Sequence, residues 1–295
     1  MAKPVIGLAL GSGGARGWCH IGVLRELHEM GIEPQVVAGS SMGAVVGAAY
    51  AADRLDALED WARGLTLRAI LPLIDIGIAG AGIMGGSGVL TMLRSLHLPE
   101  TIEELAKPFV AVATDLRRGR EVWLRKGDLA KSVRASASIP GLLRPQYLNG
   151  RWLIDGGVVN PVPVSAARAL GADAVIAVNP DAGLSSGFYD IAEAPPRQMA
   201  VNALIPEALR NLWTSNKERP EHPEPSYIAL LNATLDIGSD HIRRARLAGD
   251  PPEVLLGARL KGVSIMDLHR AAECIAEGRR IVKAQAEYLG ASLGL

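Results

Sequence analysis

The chain has 295 residues, 48% of them hydrophobic and 21% charged, with 31 basic side chains balanced by 31 acidic ones. This composition excludes a disordered chain, and zero net charge removes the electrostatic footprint of a nucleic-acid binder. Two distant cysteines, Cys19 and Cys274, support neither a disulfide framework nor a zinc site and fit a reducing compartment.

The apolar run behind Met1-Ala2-Lys3-Pro4 is too short for a signal peptide. Val5 to Leu10 reads as a buried strand, and Trp18 to Met30 as a helix with Gly31 at its C-terminal cap. Val36 to Ala38 is a short strand, followed by a Gly/Ala-rich helix from Met42 to Ala52 and another helix from Asp56 to Leu65. Pro72, Asp75, Gly77, Gly80 and Gly82 interrupt the greasy stretch Ile70 to Met84, so it falls short of a membrane span. We expect a mobile loop or lid from Ile70 to Gly88, and a cytoplasmic protein. A helix from Gly88 to Leu96 follows.

Phe109 to Thr114, Glu121 to Leu124, Trp152 to Ile154 and Ala174 to Val178 read as strands, with a helix over Val162 to Leu170. Such alternation predicts a mostly parallel sheet covered on both faces. Arg117 to Arg134 is locally basic, either a solvated surface or a contact with anionic headgroups. Beyond Asn179 the pattern weakens. It predicts a helix over Met199 to Trp213, a strand over Ser226 to Leu231, and a long amphipathic helix from Ile265 to Leu289, with Ser264 and Asp267 spaced as a capping box.

Two glycine-rich segments carry the chemistry. Gly39-Ser40-Ser41-Met42-Gly43 matches Gly-x-Ser-x-Gly between a strand and a small-residue helix, a turn that exposes a serine hydroxyl. Gly183-Leu184-Ser185-Ser186-Gly187 matches the same pattern, but no helix follows it at once, and it reads as loop. Gly11 to Gly17 offers backbone N–H groups of Gly13 and Gly14 to a developing oxyanion. Arg16 and the lack of an acidic residue at the second strand end argue against a dinucleotide site. None of the six histidines stands in a catalytic setting, whereas Asp155-Gly156-Gly157 follows a strand directly. Asp155 is therefore either a turn residue or a general base.

With the Gly11–Gly17 loop, Gly39–Gly43 and Asp155–Gly157 in this order, the chain resembles the patatin-like phospholipase family, in particular bacterial members related to the neuropathy target esterase catalytic domain. Ala137-Ser138-Ile139-Pro140 and Asn160-Pro161 add to the resemblance. It covers residues 5–180 well and 195–295 only in spacing, and the whole chain reads as one domain. The resemblance implies a three-layer α/β/α fold and a Ser-Asp dyad without histidine. Ser41 would be the nucleophile in an elbow shaped by Gly39 and Gly43, and Asp155 the base. Gly13 and Gly14 would form the oxyanion hole, with Arg16 supporting it, and no cofactor or metal is needed. The expected activity is hydrolysis of phospholipid or other lipid esters through an acyl-enzyme. A transacylase and a non-catalytic protein-binding module on the same fold are the alternatives. Peripheral membrane contact and oligomeric state stay open.

Overall fold

The computed structural model describes residues 4–67, 82–84, 87–183 and 227–294. Strand β1 (Ile6–Leu10) runs into the glycine loop, which closes as a 3-10 turn (Gly14–Trp18) before helix α1 (Cys19–Glu29). Strand β2 (Val36–Ser40) passes through Ser41 into α2 (Met42–Ala51), and α3 (Leu55–Arg63) follows. Next come β3 (Gly82–Met84), α4 (Ser87–Ser95), β4 (Phe109–Asp115), β5 (Arg120–Leu124) and α5 (Leu129–Ser136). Strands β6 (Gly141–Leu143), β7 (Gln146–Leu148) and β8 (Arg151–Asp155) precede α6 (Val164–Arg168) and β9 (Ala174–Asn179). The C-terminal third contains α7 (Tyr227–Gly249), β10 (Val254–Gly257), α8 (Ala271–Lys283) and α9 (Ala286–Leu293).

The main sheet has the order β10-β9-β1-β2-β4-β8-β7, with β5 on the free edge of β4. Strands β10, β9, β1, β2 and β4 are parallel, while β5 and β8 run antiparallel to β4. The expected mostly parallel α/β architecture is therefore present. Period-2 alternation assigns the strand side chains to two layers. Leu8, Leu10, Val37, Ala111, Ile176 and Val178 join the large core under α1, α2, α5 and α8. Ala9, Ala38, Val110, Val112, Val175 and Ala177 join a smaller core with α6.

Strand β4 sets the register of the site. Its residues Phe109 to Val112 pair with β2, ending at Ser40 opposite Val112. From Ala113 to Asp115 it pairs with β8, beginning with Asp155 opposite Ala113. Since β5 occupies the other edge throughout Ala111 to Asp115, β2 and β8 share one edge. Their ends meet head to head at consecutive β4 residues.

Several sequence expectations change. The strand expected over Ser226 to Leu231 is instead the start of α7, where Leu230-Leu231 continues a helical run rather than an alternating one. The C-terminal helix is not continuous: a 3-10 turn (Leu268–Arg270) precedes α8, and the chain breaks at Ala284-Gln285 before α9. Asp267 Oδ2 accepts from the Ser264 N–H at 3.0 Å, but the Ser264 hydroxyl accepts from Met266, so only half a capping box forms, ahead of the turn. The first helix begins at Cys19, because Gly14–Trp18 winds as 3-10. Most of the expected lid over Ile70 to Gly88, and the helix over Met199 to Trp213, lie outside the described residues. Within the former, Gly82–Met84 is a strand paired with β6.

Helices α1 and α8 touch backbone to backbone. A Cβ on Gly22 would stand 1.9 Å from the Ile275 carbonyl oxygen, and one on Gly278 would stand 2.0 Å from that of Cys19. Gly278→Ala is expected to cost about 3 kcal/mol by forcing the helices apart. Gly238→Ala, on α7 with no atom within 4 Å, should gain about 0.5–1 kcal/mol. Denaturant titration of both variants checks the contrast, and equal effects would contradict the packing account.

Candidate active site

Ser41 sits between β2 and α2 with φ 55° and ψ −123°, a strained turn that costs on the order of 1–3 kcal/mol. The turn requires its glycines. A Cβ on Gly39 would lie 2.4 Å from the Gly43 carbonyl oxygen, and one on Gly43 would lie 2.0 Å from that of Leu10. The Ser41 N–H donates to Ser136 Oγ at 3.0 Å, and the Ser136 hydroxyl donates to the Val112 carbonyl at 2.5 Å. The elbow is thus tied to the edge of β4 through α5.

Asp155 ends β8 and leads into a 3-10 turn, Gly156–Val158, so its Asp-Gly pair is not a hairpin. Ser41 Oγ donates to Asp155 Oδ2 at 2.5 Å, and the Gly157 N–H donates to Oδ1 at 2.7 Å. The Asp155 backbone is pinned on both sides: its carbonyl accepts from Thr114 Oγ1 at 2.7 Å, and its N–H donates to the Ser138 carbonyl at 3.0 Å. Burial pushes the Asp155 carboxyl up to about 6, against the lowering effect of the Ser41 and Gly157 hydrogen bonds.

The glycine loop faces this pair. Its Gly11, Ser12, Ala15 and Arg16 amides donate to the carbonyls of Val178, Pro161, Ile265 and Gly13. Among the described residues, the Gly13 and Gly14 amides have no partner. Gly14 has φ 54°, and a Cβ there would strike the Ile265 carbonyl oxygen at 2.6 Å. Both glycines, Ser41 and Asp155 line one pocket with a cavity volume of about 50 Å³, room for a few water-sized groups.

Arg16 lies behind the loop, buried. Its Nε–H points to the Gly13 carbonyl at 3.4 Å, which leaves its 3.0 Å contact with Asp181 Oδ1 ionic without a hydrogen bond. Its Nη2 donates to Asp236 of α7 at 3.0 Å. Burial works against the guanidinium charge, but Asp181 and Asp236 outweigh it and raise its pKa. Arg16 therefore holds the loop rather than facing the pocket. His20 holds it from below: its Nε2–H donates to the Gly11 carbonyl at 2.8 Å, and burial lowers its pKa to about 4, so it stays neutral.

Sequence reasoning assembled Ser41, Asp155, Gly13 and Gly14 and missed their supports. Ser136, Thr114, His20, Asp181 and Ile265 carry no motif of their own. Ser138 was visible only within the Ala137–Pro140 segment. Leu235, Asp236 and Ser239 of α7 also line the pocket. Ser185, the second serine in the elbow pattern, lies outside the described residues. Among the described residues, no group of three or more His, Cys, Asp or Glu side chains is placed to hold a metal ion. No helix among them is long and apolar enough to cross a membrane.

The patatin-like phospholipase family model matches residues 8–168. An uncharacterized NTE family protein of Mycobacterium tuberculosis (strain ATCC 25618 / H37Rv) is 35% identical over 327 residues, spanning 95% of this chain and 91% of that protein. Human patatin-like phospholipase domain-containing protein 6 is 35% identical over 181 residues, which are 59% of this chain and 13% of that protein. The crystal structure of VipD from Legionella pneumophila aligns with 97% of this chain and 67% of its own, with a TM-score of 0.45 and 15% identity.

The raised Asp155 pKa has a thermodynamic consequence. The folded chain holds this proton more tightly than the unfolded chain, whose value is near 3.8. The contribution of Asp155 to stability therefore falls as pH rises between about 4 and about 6. Asp155→Asn is expected to be more stable than the parent at pH 7, by up to about 3 kcal/mol, with the gap closing below pH 4. Denaturant titrations at the two pH values test this, and a pH-independent difference would contradict it.

Proposed function

The chain belongs to the patatin-like phospholipase family, and on that premise we propose that it is a serine acyl hydrolase that cleaves lipid esters with a Ser41–Asp155 dyad. Family membership gives lipid hydrolysis in general terms. The reading of the dyad rests on one observation: the Ser41 hydroxyl donates to a buried carboxylate at 2.5 Å, beside two amides without a partner among the described residues.

In this mechanism the ester carbonyl enters with its oxygen towards the Gly13 and Gly14 amides. Ser41 Oγ attacks the carbonyl carbon as Asp155 Oδ2 takes the hydroxyl proton. Negative charge moves onto the carbonyl oxygen, where the two N–H groups stabilise it; loss of one such donor typically costs on the order of 100-fold or more. Collapse breaks the ester C–O bond, and the proton on Asp155 passes to the leaving alkoxide. Water then gives a proton to Asp155 and attacks the acyl-enzyme carbonyl. The second tetrahedral intermediate expels Ser41 Oγ, which recovers the proton and releases the fatty acid. A carboxylate suits this exchange because burial brings its pKa to about 6, nearer neutrality than an ordinary aspartate.

A fluorophosphonate probe should label the parent protein and Ser185→Ala but not Ser41→Ala, and should label Asp155→Asn at least roughly 100-fold more slowly. For a soluble short-chain ester, kcat/KM should rise with pH through a midpoint near 6 and then level off. Labelling that survives in Ser41→Ala, or an acid limb near pH 4, would refute the assignment.

A further inference from the structure

We propose that the exposed hairpins β4–β5 and β7–β8 form a docking surface for an anionic phospholipid bilayer, which presents lipid to the pocket; this rests on the lipid-hydrolase reading above.

Tyr147 and Trp152 face each other across β7 and β8 with ring centroids 5.0 Å apart, yet they are 55% and 54% exposed. Leu116, 51% exposed, donates its N–H to the Trp152 carbonyl at 2.9 Å, which extends the apolar row to the end of β4. Arg125 lies over the exposed ring of Trp123 at 5.9 Å. A cavity of about 300 Å³ lined by Trp123, Arg125, Lys126 and Asn149 joins the end of β5 to the β7–β8 turn.

Between residues 115 and 128 five basic side chains face three acidic ones. Arg117, Arg118, Arg120, Arg125 and Lys126 are exposed and make no ion pair among the described residues. The acids nearby are already engaged. Asp115 is buried, accepts the Arg117 and Arg118 backbone N–H groups and lies 3.9 Å from Arg151. Glu121 is held by Arg246 and Asn160, Asp128 by Lys131, and Glu103 accepts from the Gly127 N–H.

Tryptophan and tyrosine favour the headgroup level of a bilayer, and arginine is drawn to anionic lipid. Position favours a bilayer over a protein partner. Leu116 and the β4–β5 turn stand at the C-terminal end of the parallel strands, the end at which Ser41 and Gly13 open. Trp152 and Asp155 share β8, three residues or about 10 Å apart, with their side chains on opposite faces of the sheet. A surface seated on lipid would thus hold the pocket within one strand length of it.

Flotation of the full chain carrying Ser41→Ala, which leaves the lipid uncut, tests the proposal. Vesicles of phosphatidylcholine alone are compared with equal parts of phosphatidylcholine and phosphatidylglycerol, at low and high salt. Binding is expected only with phosphatidylglycerol and should weaken with salt. The triple variant Arg117→Gln/Arg118→Gln/Arg120→Gln should lose roughly 10- to 100-fold in partitioning, and Tyr147→Ser/Trp152→Ser should also bind less. In the Ser41 background both sets should keep parental hydrolysis of a soluble ester and parental thermal midpoints, while cleavage of vesicle lipid falls. Absence of flotation with either composition, or undiminished flotation of the triple variant, overturns the proposal. Failure of the parent to cleave the soluble ester overturns the hydrolase reading instead, and flotation still decides the docking.

Discussion

One buried contact organises this molecule: the Ser41 hydroxyl on the Asp155 carboxylate. A carboxylate removed from water without a cation resists ionisation, and among the described residues it receives two hydrogen bonds, from Ser41 and Gly157. Folding is thus asked to keep an unfavourable group at a set position. The surroundings show how. Thr114, Ser138, Ser136 and the edge of β4 fix the backbones on both sides of the contact, so the two side chains start from set positions. Stability is given up at the site and recovered in the sheet and the helix layers.

The glycines follow from that constraint. Ser41 reaches Asp155 only if β2 and α2 turn sharply over β1, which leaves no room for a side chain at Gly39 or Gly43. The glycine loop approaches the turn from the end of β1, and Gly14 passes under the Ile265 carbonyl where a Cβ cannot fit. A pocket built this way is lined largely by backbone and is small.

The parts legible in the sequence were those with local signatures. Continuous apolar runs marked β1, β4 and β9, and the residue types around Ser41 and Asp155 marked strand ends. Strands β6, β7 and β10 are short and half-exposed in part, so no period distinguishes them from loop. Leu230-Leu231 reads as strand in the sequence, although it lies in α7, because a short apolar run lacks a period of its own. The supports of the glycine loop were illegible for a different reason. Asp181 and Asp236 lie more than 160 residues from Arg16, and Ile265 lies 250 residues from Ala15, whose N–H its carbonyl accepts, so only the folded chain brings them to the loop. Arg16 was recognised as a loop residue, but its carboxylate partners could not be.

The backbone contact between α1 and α8 also bears on how the chain comes to be folded. Cys19 and Gly22 meet Ile275 and Gly278, a closure across about 250 residues of chain. Such contacts are slow to form, because the long loop must be closed before any reward is gained. During synthesis, β1 and the glycine loop are made before α8 and before Ile265 just ahead of it, so their final packing waits for both. Until then the surface of α1 that α8 covers stays open to solvent, chaperones and self-association. Gly13 and Gly14 thus reach their final setting late, about 250 residues of chain after they are made.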